Sequence, residues 1–397
     1  MYKAVLIAAL GYFVDIYDLI LFSIVRVKSL QGLGIADEQL LSCGVLLLNM
    51  QMAGMLVGGL LWGILGDKKG RLSVLLGSIF LYSAANIANG FVHDIPQYAV
   101  LRFIAGVGLA GELGAGITLV AETMPQHLRG IGTMIVSGVG ILGAVVAALV
   151  GDLFDWRIAY IIGGLMGIAL LLMRIKASES GMFIKIKQQH KQQGNLLLIF
   201  GKPKNLIKYI NCILIGLPLW YVVGILITFS PEFGKALNMP VLPSAGRAVM
   251  FTYIGLSIGS IFSGMLSQWM KSRIKATAIF MVLNTIFVFI YLFNNIPSLT
   301  VFYGVCFLLG LASGYWALFV TIAAEQFGTN IRATVATTVP NVVRGAVVPL
   351  TLSFQALQGG VGVVNAGLMV GGCCLILAFC ALKGLEETYH KDLNYLD

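Results

Sequence analysis

The sequence predicts an all-α membrane protein with twelve transmembrane helices in two repeated halves of six. Apolar residues make up 58% of the 397 positions and charged residues only 11%, whereas a soluble chain of this length would carry roughly twice that charge. Mean hydropathy is +0.91. A transmembrane barrel would show short segments of alternating hydrophobicity, and the sequence contains none.

Twelve apolar segments follow one another along the chain, most of them long enough to cross ~30 Å of hydrocarbon. They are residues 4–25, 39–65, 73–91, 98–122, 131–153, 157–174, 206–229, 247–268, 276–294, 299–323, 333–356 and 362–383. The only long polar interruption is rich in lysine and glutamine. It divides the chain into an N-terminal half (1–174), a central loop (175–205) and a C-terminal half (206–397).

The two halves repeat each other in sequence. Positions Gly54, Gly58, Gly63 and Asp67 recur, always 201 residues later, as Gly255, Gly259, Gly264 and Gln268. Glu122 and Arg129 recur 203 residues later as Glu325 and Arg332. Many secondary transporters consist of two such repeats with the substrate site between them near the membrane midplane.

Basic residues lie mainly in alternate loops. With the N-terminus in the cytoplasm, nineteen Lys and Arg lie on the inner side and five on the outer side. By the positive-inside rule, both ends are cytoplasmic. The net charge of +9 therefore reflects membrane topology and not nucleic-acid binding. We expect a multi-pass protein of a bacterial inner membrane, since the loops are compact.

The loop between the second and third spans contains a recognisable motif. It reads Gly63-Ile-Leu-Gly-Asp67-Lys-Lys-Gly70-Arg71 and resembles the signature loop of the major facilitator superfamily of transporters. In that family the loop carboxylate is thought to latch the cytoplasmic face. The resemblance assigns a cytoplasmic gate to Gly63, Asp67, Gly70, Arg71, Glu122, Arg129, Glu325 and Arg332. Gln268 replaces the acid in the second copy, which predicts a weaker latch there.

Other patterns resemble the family's proton symporters of organic acids, sugars and zwitterions. They include Gly11-Tyr-Phe-Val-Asp15-Ile-Tyr-Asp18 in the first span, and Arg102-Phe-Ile-Ala-Gly-Val-Gly-Leu-Ala-Gly-Glu112 in the fourth. Loop patterns around Glu122–Arg129, Glu179–Phe183 and Glu325–Arg332 also match, so the resemblance covers nearly the whole chain. It implies the major facilitator fold and transport by alternating access, with no cofactor.

Five ionisable residues are expected near the bilayer centre, where an ionised group costs ~3 kcal/mol, so each of them requires a role. The carboxylates Asp15 and Asp18 share one helix face and cannot both ionise easily in a low dielectric. We hypothesise that Asp18 carries a proton, tuned by Asp15 and Arg102; the alternative is a static ion pair joining the first and fourth helices. Glu112 is either a second protonation site or a hydrogen-bonding group among glycines. No histidine lies within a span.

The fifth ionisable residue, Arg344, indicates the substrate. No carboxylate of the second half lies at a matching depth, and an unpaired guanidinium can bind a carboxylate or phosphate through two parallel hydrogen bonds. The alternative is an ion pair across the cavity with Asp15, Asp18 or Glu112. The residues expected to bind substrate are Arg344, Asn341, Trp316, Tyr221 and Trp220.

These features favour a proton-coupled symporter, acting as a monomer in the lipid bilayer, for a small organic anion or zwitterion. An exporter of drug-like or siderophore-like compounds is the alternative with the same fold. A membrane-embedded enzyme would need a metal-ligand set or a nucleophilic constellation, and the sequence contains no such motif. A channel would need a filter-like segment. We expect no metal, no cofactor and H⁺ as the coupling ion.

Overall fold

The structure is a computed structural model, and it describes residues 2–69, 71–112, 129–174, 201–293, 298–328 and 332–389. Within those ranges the chain forms helices and no strands. Nine described segments are long and apolar enough to cross a membrane, and three shorter apolar segments, Ser73–Asn89, Ile95–Leu109 and Gly138–Leu153, coincide with other predicted spans. The predicted all-α membrane fold is confirmed.

The described residues of the first half form six long helices. They are α1 (Tyr2–Gly32), α2 (Leu40–Lys69), α3 (Arg71–Asn89), α4 (Ile95–Leu109), α5 (Arg129–Leu153) and α6 (Trp156–Arg174). Helix α1 continues seven residues beyond the predicted end of the first span, and Arg26 in this extension is fully buried instead of lying in an outer loop. A buried cation at this position requires a partner.

The second half is more broken. Its helices are α7 (Pro203–Leu214), α8 (Leu217–Tyr221), α9 (Ser230–Ala236), α10 (Ala245–Met270), α11 (Arg273–Phe293), α12 (Leu299–Ala312), α13 (Trp316–Glu325), α14 (Arg332–Gly345), α15 (Val347–Val361) and α16 (Val363–Lys383). A π-helical turn, Val222–Ile227, follows α8, and a 3₁₀ turn, Ser313–Tyr315, joins α12 to α13. Three predicted spans, the seventh, tenth and eleventh, are thus discontinuous helices.

Close helix pairs repeat between the halves, as the sequence repeat predicts. A Cβ atom at Gly54 on α2 would lie 2.1 Å from the carbonyl oxygen of Phe103 on α4. The equivalent atom at Gly255 on α10 would lie 2.1 Å from the carbonyl oxygen of Phe307 on α12. Backbones in a membrane can approach this closely only where the side chain is absent.

The same contact predicts a difference between two glycines of α12. A Cβ at Gly310 would lie 1.9 Å from the carbonyl oxygen of Thr252, whereas one at Gly304 would meet no described atom within 4 Å. We expect Gly310→Ala to destabilise the protein by ~1–3 kcal/mol through overpacking. Thermal unfolding in detergent measures the effect, with Gly304→Ala as the matched control. Equal melting temperatures for the two variants would contradict this packing.

Candidate functional site

The charged residues predicted within spans lie in the interior of the bundle. Asp15 and Asp18 on α1, Arg102 on α4 and Arg344 in the last turn of α14 are each no more than 1% exposed. Among the described residues, none of these four forms an ion pair within 4.0 Å. Both oxygens of each aspartate, and all three nitrogens of the Arg102 guanidinium, lack a protein hydrogen-bond partner there. Such groups are costly to bury, so a functional role is favoured.

The two aspartates face different arginines. The charges that act on Asp15 are those of Arg344, which belongs to the other half, and Glu112. The cation that acts on Asp18 is Arg102, inside the first half. The sequence places both aspartates on one helix face, but only the packing of α14 against the first half reveals that the two carboxylates lie in the fields of different arginines.

Arg344 has few partners of its own. Its Nη1 donates a long hydrogen bond of 3.4 Å to Asn341 Oδ1, its Nε has no acceptor in the described chain, and its guanidinium lies 5.9 Å from the centre of the Trp220 ring. Tyr12 and Tyr253 also lie within the field of this cation. The guanidinium is therefore buried among aromatic rings and retains free donors.

Broken helices position this site. Arg344 lies where α14 ends, Trp220 lies in the short helix α8, and Trp316 begins α13 directly after a 3₁₀ turn. Pro340 lies inside α14, where it removes a backbone donor and loosens the helical ladder, whereas Pro218 occupies the first turn of α8, where a proline is tolerated. Discontinuous helices of this kind commonly form the substrate sites of secondary transporters.

The remaining predicted substrate residues differ in what they contact. Trp316 stacks on Phe319 with ring centres 4.9 Å apart and lies beside Tyr12 of the first half. Asn341 donates to the carbonyl of Ala110 at 3.1 Å, which joins α14 to the other half. Tyr221 donates to the carbonyl of Gly367 at 2.8 Å, a contact within the second half.

Glu112 forms an ion pair that the sequence does not reveal. Its Oε1 lies 2.6 Å from Nη2 of Arg174, and Nη2 also donates to the carbonyl of Ile7 at 3.0 Å. Both side chains are at most 2% exposed. A Cβ at Gly11 would lie 2.0 Å from Arg174 Nη2, so the glycine of the first-span pattern makes room for this pair. From the sequence, Arg174 is the last residue of the sixth apolar segment and counts among the basic residues on the cytoplasmic side.

A second unforeseen ion pair closes the predicted outer end between the halves. Nη2 of Arg26 lies 2.7 Å from each oxygen of Glu232, and the guanidinium lies 4.6 Å from the ring of Phe229. Beside it, Thr228 donates to Ser23 Oγ at 3.0 Å. The position of Arg26 next to a long apolar run was the only signal in the sequence. We call Ser23, Arg26, Thr228 and Glu232 the outer latch.

Breaking the outer latch should open the predicted outer end of the bundle. We expect Arg26→Gln to raise the maleimide-labelling rate of a Ser23→Cys probe by about tenfold or more in detergent, because loss of the ion pair shifts the conformational population. The background protein would lack its native cysteines. Asp152→Asn is the control, because its pair with Arg247 is exposed and 3.7 Å long. The double exchange Arg26→Glu with Glu232→Arg should restore slow labelling; persistent fast labelling would count against a direct pair.

The predicted cytoplasmic gate lies largely outside the described residues. Gly70 and Glu122, and the side chains of Asp67, Arg71, Arg129 and Arg332, belong to that part. Gly63 lies within α2, and Glu325 at the end of α13 lies 3.5 Å from Nη2 of Arg273 and accepts from Thr388 at 2.6 Å. The gate as a whole therefore stays a prediction.

Near Glu325, the C-terminal segment supplies a carboxylate where the second-half loop motif lacks one. Glu387 accepts from the hydroxyl of Ser272 and from the backbone N–H of Arg273 at 2.8 Å and of Ile274 at 3.3 Å. Burial alone would raise the pKa of Glu387, but these hydrogen bonds lower the pKa below its usual value. Tyr389 donates to Gln268 at 2.8 Å. An anion at the start of α11 also complements the helix dipole.

Comparisons with known proteins agree with this geometry. Residues 8–348 match the family model described as Major Facilitator Superfamily. The chain is 28% identical to a sialic acid transporter of Escherichia coli over 66% of this chain and 64% of that protein. It is 27% identical to a niacin transporter of Acinetobacter baylyi over 72% of each, and 25% identical to a gentisate transporter of Corynebacterium glutamicum over 97% of this chain and 88% of that protein.

Solved structures share the fold. A D-xylose–proton symporter superimposes with a TM-score of 0.75 at 16% identity, covering 99% of both chains. An inward-open xylose transporter from E. coli gives 0.74 at 16% identity, covering 99% of this chain and 98% of the other. The relatives are transporters, which confirms the choice of a carrier over a membrane-embedded enzyme. The chain belongs to the major facilitator superfamily.

Proposed function

We propose that this protein imports a small organic anion or zwitterion together with a proton, by alternating exposure of a site between its two halves. The observation that carries the proposal is that the two neighbouring aspartates interact with different arginines. Asp15 acts on Arg344 across the interface, and Asp18 acts on Arg102 within the first half. One acid thus interacts with the proposed substrate site, and the other interacts with a cation remote from it.

Arg344 is the proposed anion-binding residue. Its buried Nε has no protein acceptor in the described chain, so a substrate carboxylate would satisfy it with charge-assisted hydrogen bonds. Asp15 competes for the same cation while it is ionised. Protonation of Asp15 removes that competition, so proton binding at Asp15 and substrate binding at Arg344 favour each other. This reciprocal coupling is what a symporter requires.

The substrate class follows from the site and from the relatives. Sialic acid, niacin and gentisate, the solutes named for the similar transporters, are all carboxylates at neutral pH. Trp220 supplies a flat apolar surface 5.9 Å from the Arg344 guanidinium, and the Trp220 N–H is buried without an acceptor in the described chain. A small acid with an apolar or planar body fits this combination.

The outer latch supports the alternating-access part of the proposal. It joins α1 to the segment around α9, across the two halves, and would have to break for substrate to enter. The charge asymmetry of the loops assigns this end to the outside of a bacterial inner membrane, with both termini in the cytoplasm. We expect one polypeptide to transport as a monomer, with H⁺ as the coupling ion and no cofactor.

Uptake into proteoliposomes tests the proposal. Purified protein would be reconstituted and given an inward proton gradient, with labelled carboxylates, amino acids, phosphates and uncharged sugars as candidate substrates. Saturable accumulation of an acid or zwitterion that a protonophore abolishes would support it. Accumulation only with the gradient reversed would favour the exporter, and accumulation without any proton dependence would overturn proton coupling.

A further inference from the structure

A second group of buried polar side chains lies entirely within the first half. Asp18 on α1, Ser83 and Asn86 on α3, and Arg102 on α4 are each no more than 1% exposed. Asn86 lies near the Asp18 carboxylate without meeting hydrogen-bond geometry, and Arg102 acts on that carboxylate through its charge. Ser83 lies about one turn below Asn86 on the same helix face. We call these four residues the Asp18 cluster.

The Asp18 cluster is short of hydrogen bonds. Every polar side-chain atom of its four residues lacks a partner in the described chain, as do both side-chain atoms of Asn89 one turn farther along α3. A buried polar group that stays unpaired costs roughly 1–3 kcal/mol, and native proteins leave few such groups. A cluster with so many unpaired polar atoms, including those of two ionisable residues, requires a ligand that both donates and accepts hydrogen bonds.

Water fits these requirements best. The cluster offers acceptors on Asp18, donors on Arg102, and both kinds on Ser83 and Asn86, and a buried water typically makes about three hydrogen bonds. The facing helix α6 adds only glycine here: a Cβ at Gly163 would lie 2.2 Å from Asp18 Oδ1, and one at Gly167 would lie 2.0 Å from Ser83 Oγ. No side chain of α6 at these two positions therefore competes for the polar atoms.

A buried tyrosine, Tyr82, lies beside the cluster, since a Cβ at Gly167 would lie 3.0 Å from Tyr82 Cε2 and 2.0 Å from Ser83 Oγ. Tyr82 is fully buried, its hydroxyl lacks a partner in the described chain, and the charges acting on it include those of Glu112, Asp18 and Arg174. The hydroxyl can both donate and accept, so it can pass a proton without changing its own charge. The other ionisable groups facing Asp18 are Arg102 from α4, Asp15 and Tyr17 from α1, and Tyr160 from α6.

We propose that the Asp18 cluster binds water inside the first half, and that this water and Tyr82 relay the coupling proton between Asp18 and the Glu112–Arg174 pair. The relay rests on the proposed function, because it presupposes proton-coupled transport. It gives the proton a route through α1, α3, α4 and α6. The substrate route lies between the halves at Arg344, so the two pathways meet only through Asp15.

Substitutions at Asn86 separate a relay from a structural role. Asn86→Leu keeps the size but removes both hydrogen-bonding atoms, whereas Asn86→Ser keeps polarity and leaves room for additional water. We expect Asn86→Leu to slow proton-driven uptake in proteoliposomes by about tenfold or more, and Asn86→Ser to retain most of it. Substrate counterflow, which needs no net proton movement, should stay near wild type in both variants.

The second half offers a matched control. Asn284 on α11, the counterpart of α3, is also fully buried and donates to Ser313 at 2.9 Å. Asn284→Leu should leave the dependence on the proton gradient unchanged in protein that folds. If Asn86→Leu fails to fold, Tyr82→Phe tests the same relay, since it removes only one hydroxyl oxygen; it should slow proton-driven uptake and spare counterflow.

The outcomes distinguish the relay from the proposed function. Loss of proton-driven uptake in Asn86→Leu or Tyr82→Phe, with intact counterflow and recovery in Asn86→Ser, supports the relay. Wild-type proton-driven uptake in both Asn86→Leu and Tyr82→Phe would overturn the relay and leave the symporter standing. Wild-type protein that ignores the proton gradient would overturn the proposed function, and the relay with it.

Discussion

Replacing Asp18 with asparagine is expected to abolish uphill accumulation of substrate while substrate exchange across the membrane continues. The amide cannot take up or release a proton, but it keeps the size of the carboxylate. Arg102 would lose the carboxylate that acts on it, and the Arg344 site would stay intact. Proteoliposomes measure both quantities: accumulation under an imposed proton gradient, and counterflow of labelled substrate without one.

Two comparisons make this result specific. Asp152→Asn removes a carboxylate that is 37% exposed and pairs weakly with Arg247 at 3.7 Å, so it should accumulate substrate like wild type. Asp15→Asn should alter substrate affinity as well as coupling, because Asp15 acts on Arg344. Normal pH-driven accumulation by Asp18→Asn would exclude Asp18 as the proton carrier.

The second large effect concerns Arg344. Lysine at this position keeps the charge but loses the planar fork that binds a carboxylate through two hydrogen bonds. Charge-assisted hydrogen bonds contribute ~1.5–3 kcal/mol, so we expect Arg344→Lys to weaken substrate binding by about 10- to 100-fold. Isothermal calorimetry or the concentration dependence of counterflow measures the change.

Expression and folding provide the check on that prediction. Arg344 is at most 1% exposed, but its only described hydrogen bond is the long one to Asn341, so the lysine variant should fold. Arg247→Lys, a substitution at a side chain that is 59% exposed, is the matched control and should bind substrate normally. Unchanged substrate affinity in Arg344→Lys would refute the anion-binding role.

Local patterns in the sequence predict much of this architecture. Hydrophobic segment length predicts the spans, and the constant offset between Gly54 and Gly255 predicts paired close contacts that the structure contains. The high cost of burying a charge in a membrane makes Asp15, Asp18, Arg102 and Arg344 recognisable as site candidates without coordinates. Each of these inferences uses only the sequence of a single helix or the spacing of the repeat.

The sequence could not predict in the same way which charged residues pair with each other. Arg26 and Arg174 sit at the ends of apolar segments, where a basic residue is ordinarily solvated, yet they pair with Glu232 and Glu112, 206 and 62 residues away. The contacts of the C-terminal segment, Glu387 with the backbone N–H of Arg273 and Tyr389 with Gln268, likewise join residues more than 110 positions apart. No local pattern encodes such contacts.

The sequence by itself determined a membrane protein with twelve predicted spans in two repeated halves, because hydrophobic length, charge asymmetry and repeat spacing can be read along the chain. Its Gly63–Arg71 loop added the resemblance to the major facilitator superfamily. Only the tertiary structure decided which charges face each other. In the packed bundle Asp15 lies in the field of Arg344 and Asp18 in the field of Arg102. The helices are discontinuous beside Trp220, Trp316 and Arg344. The physical reason is that pairing in a low-dielectric interior depends on distances of a few ångströms between helices, which only the packed bundle specifies.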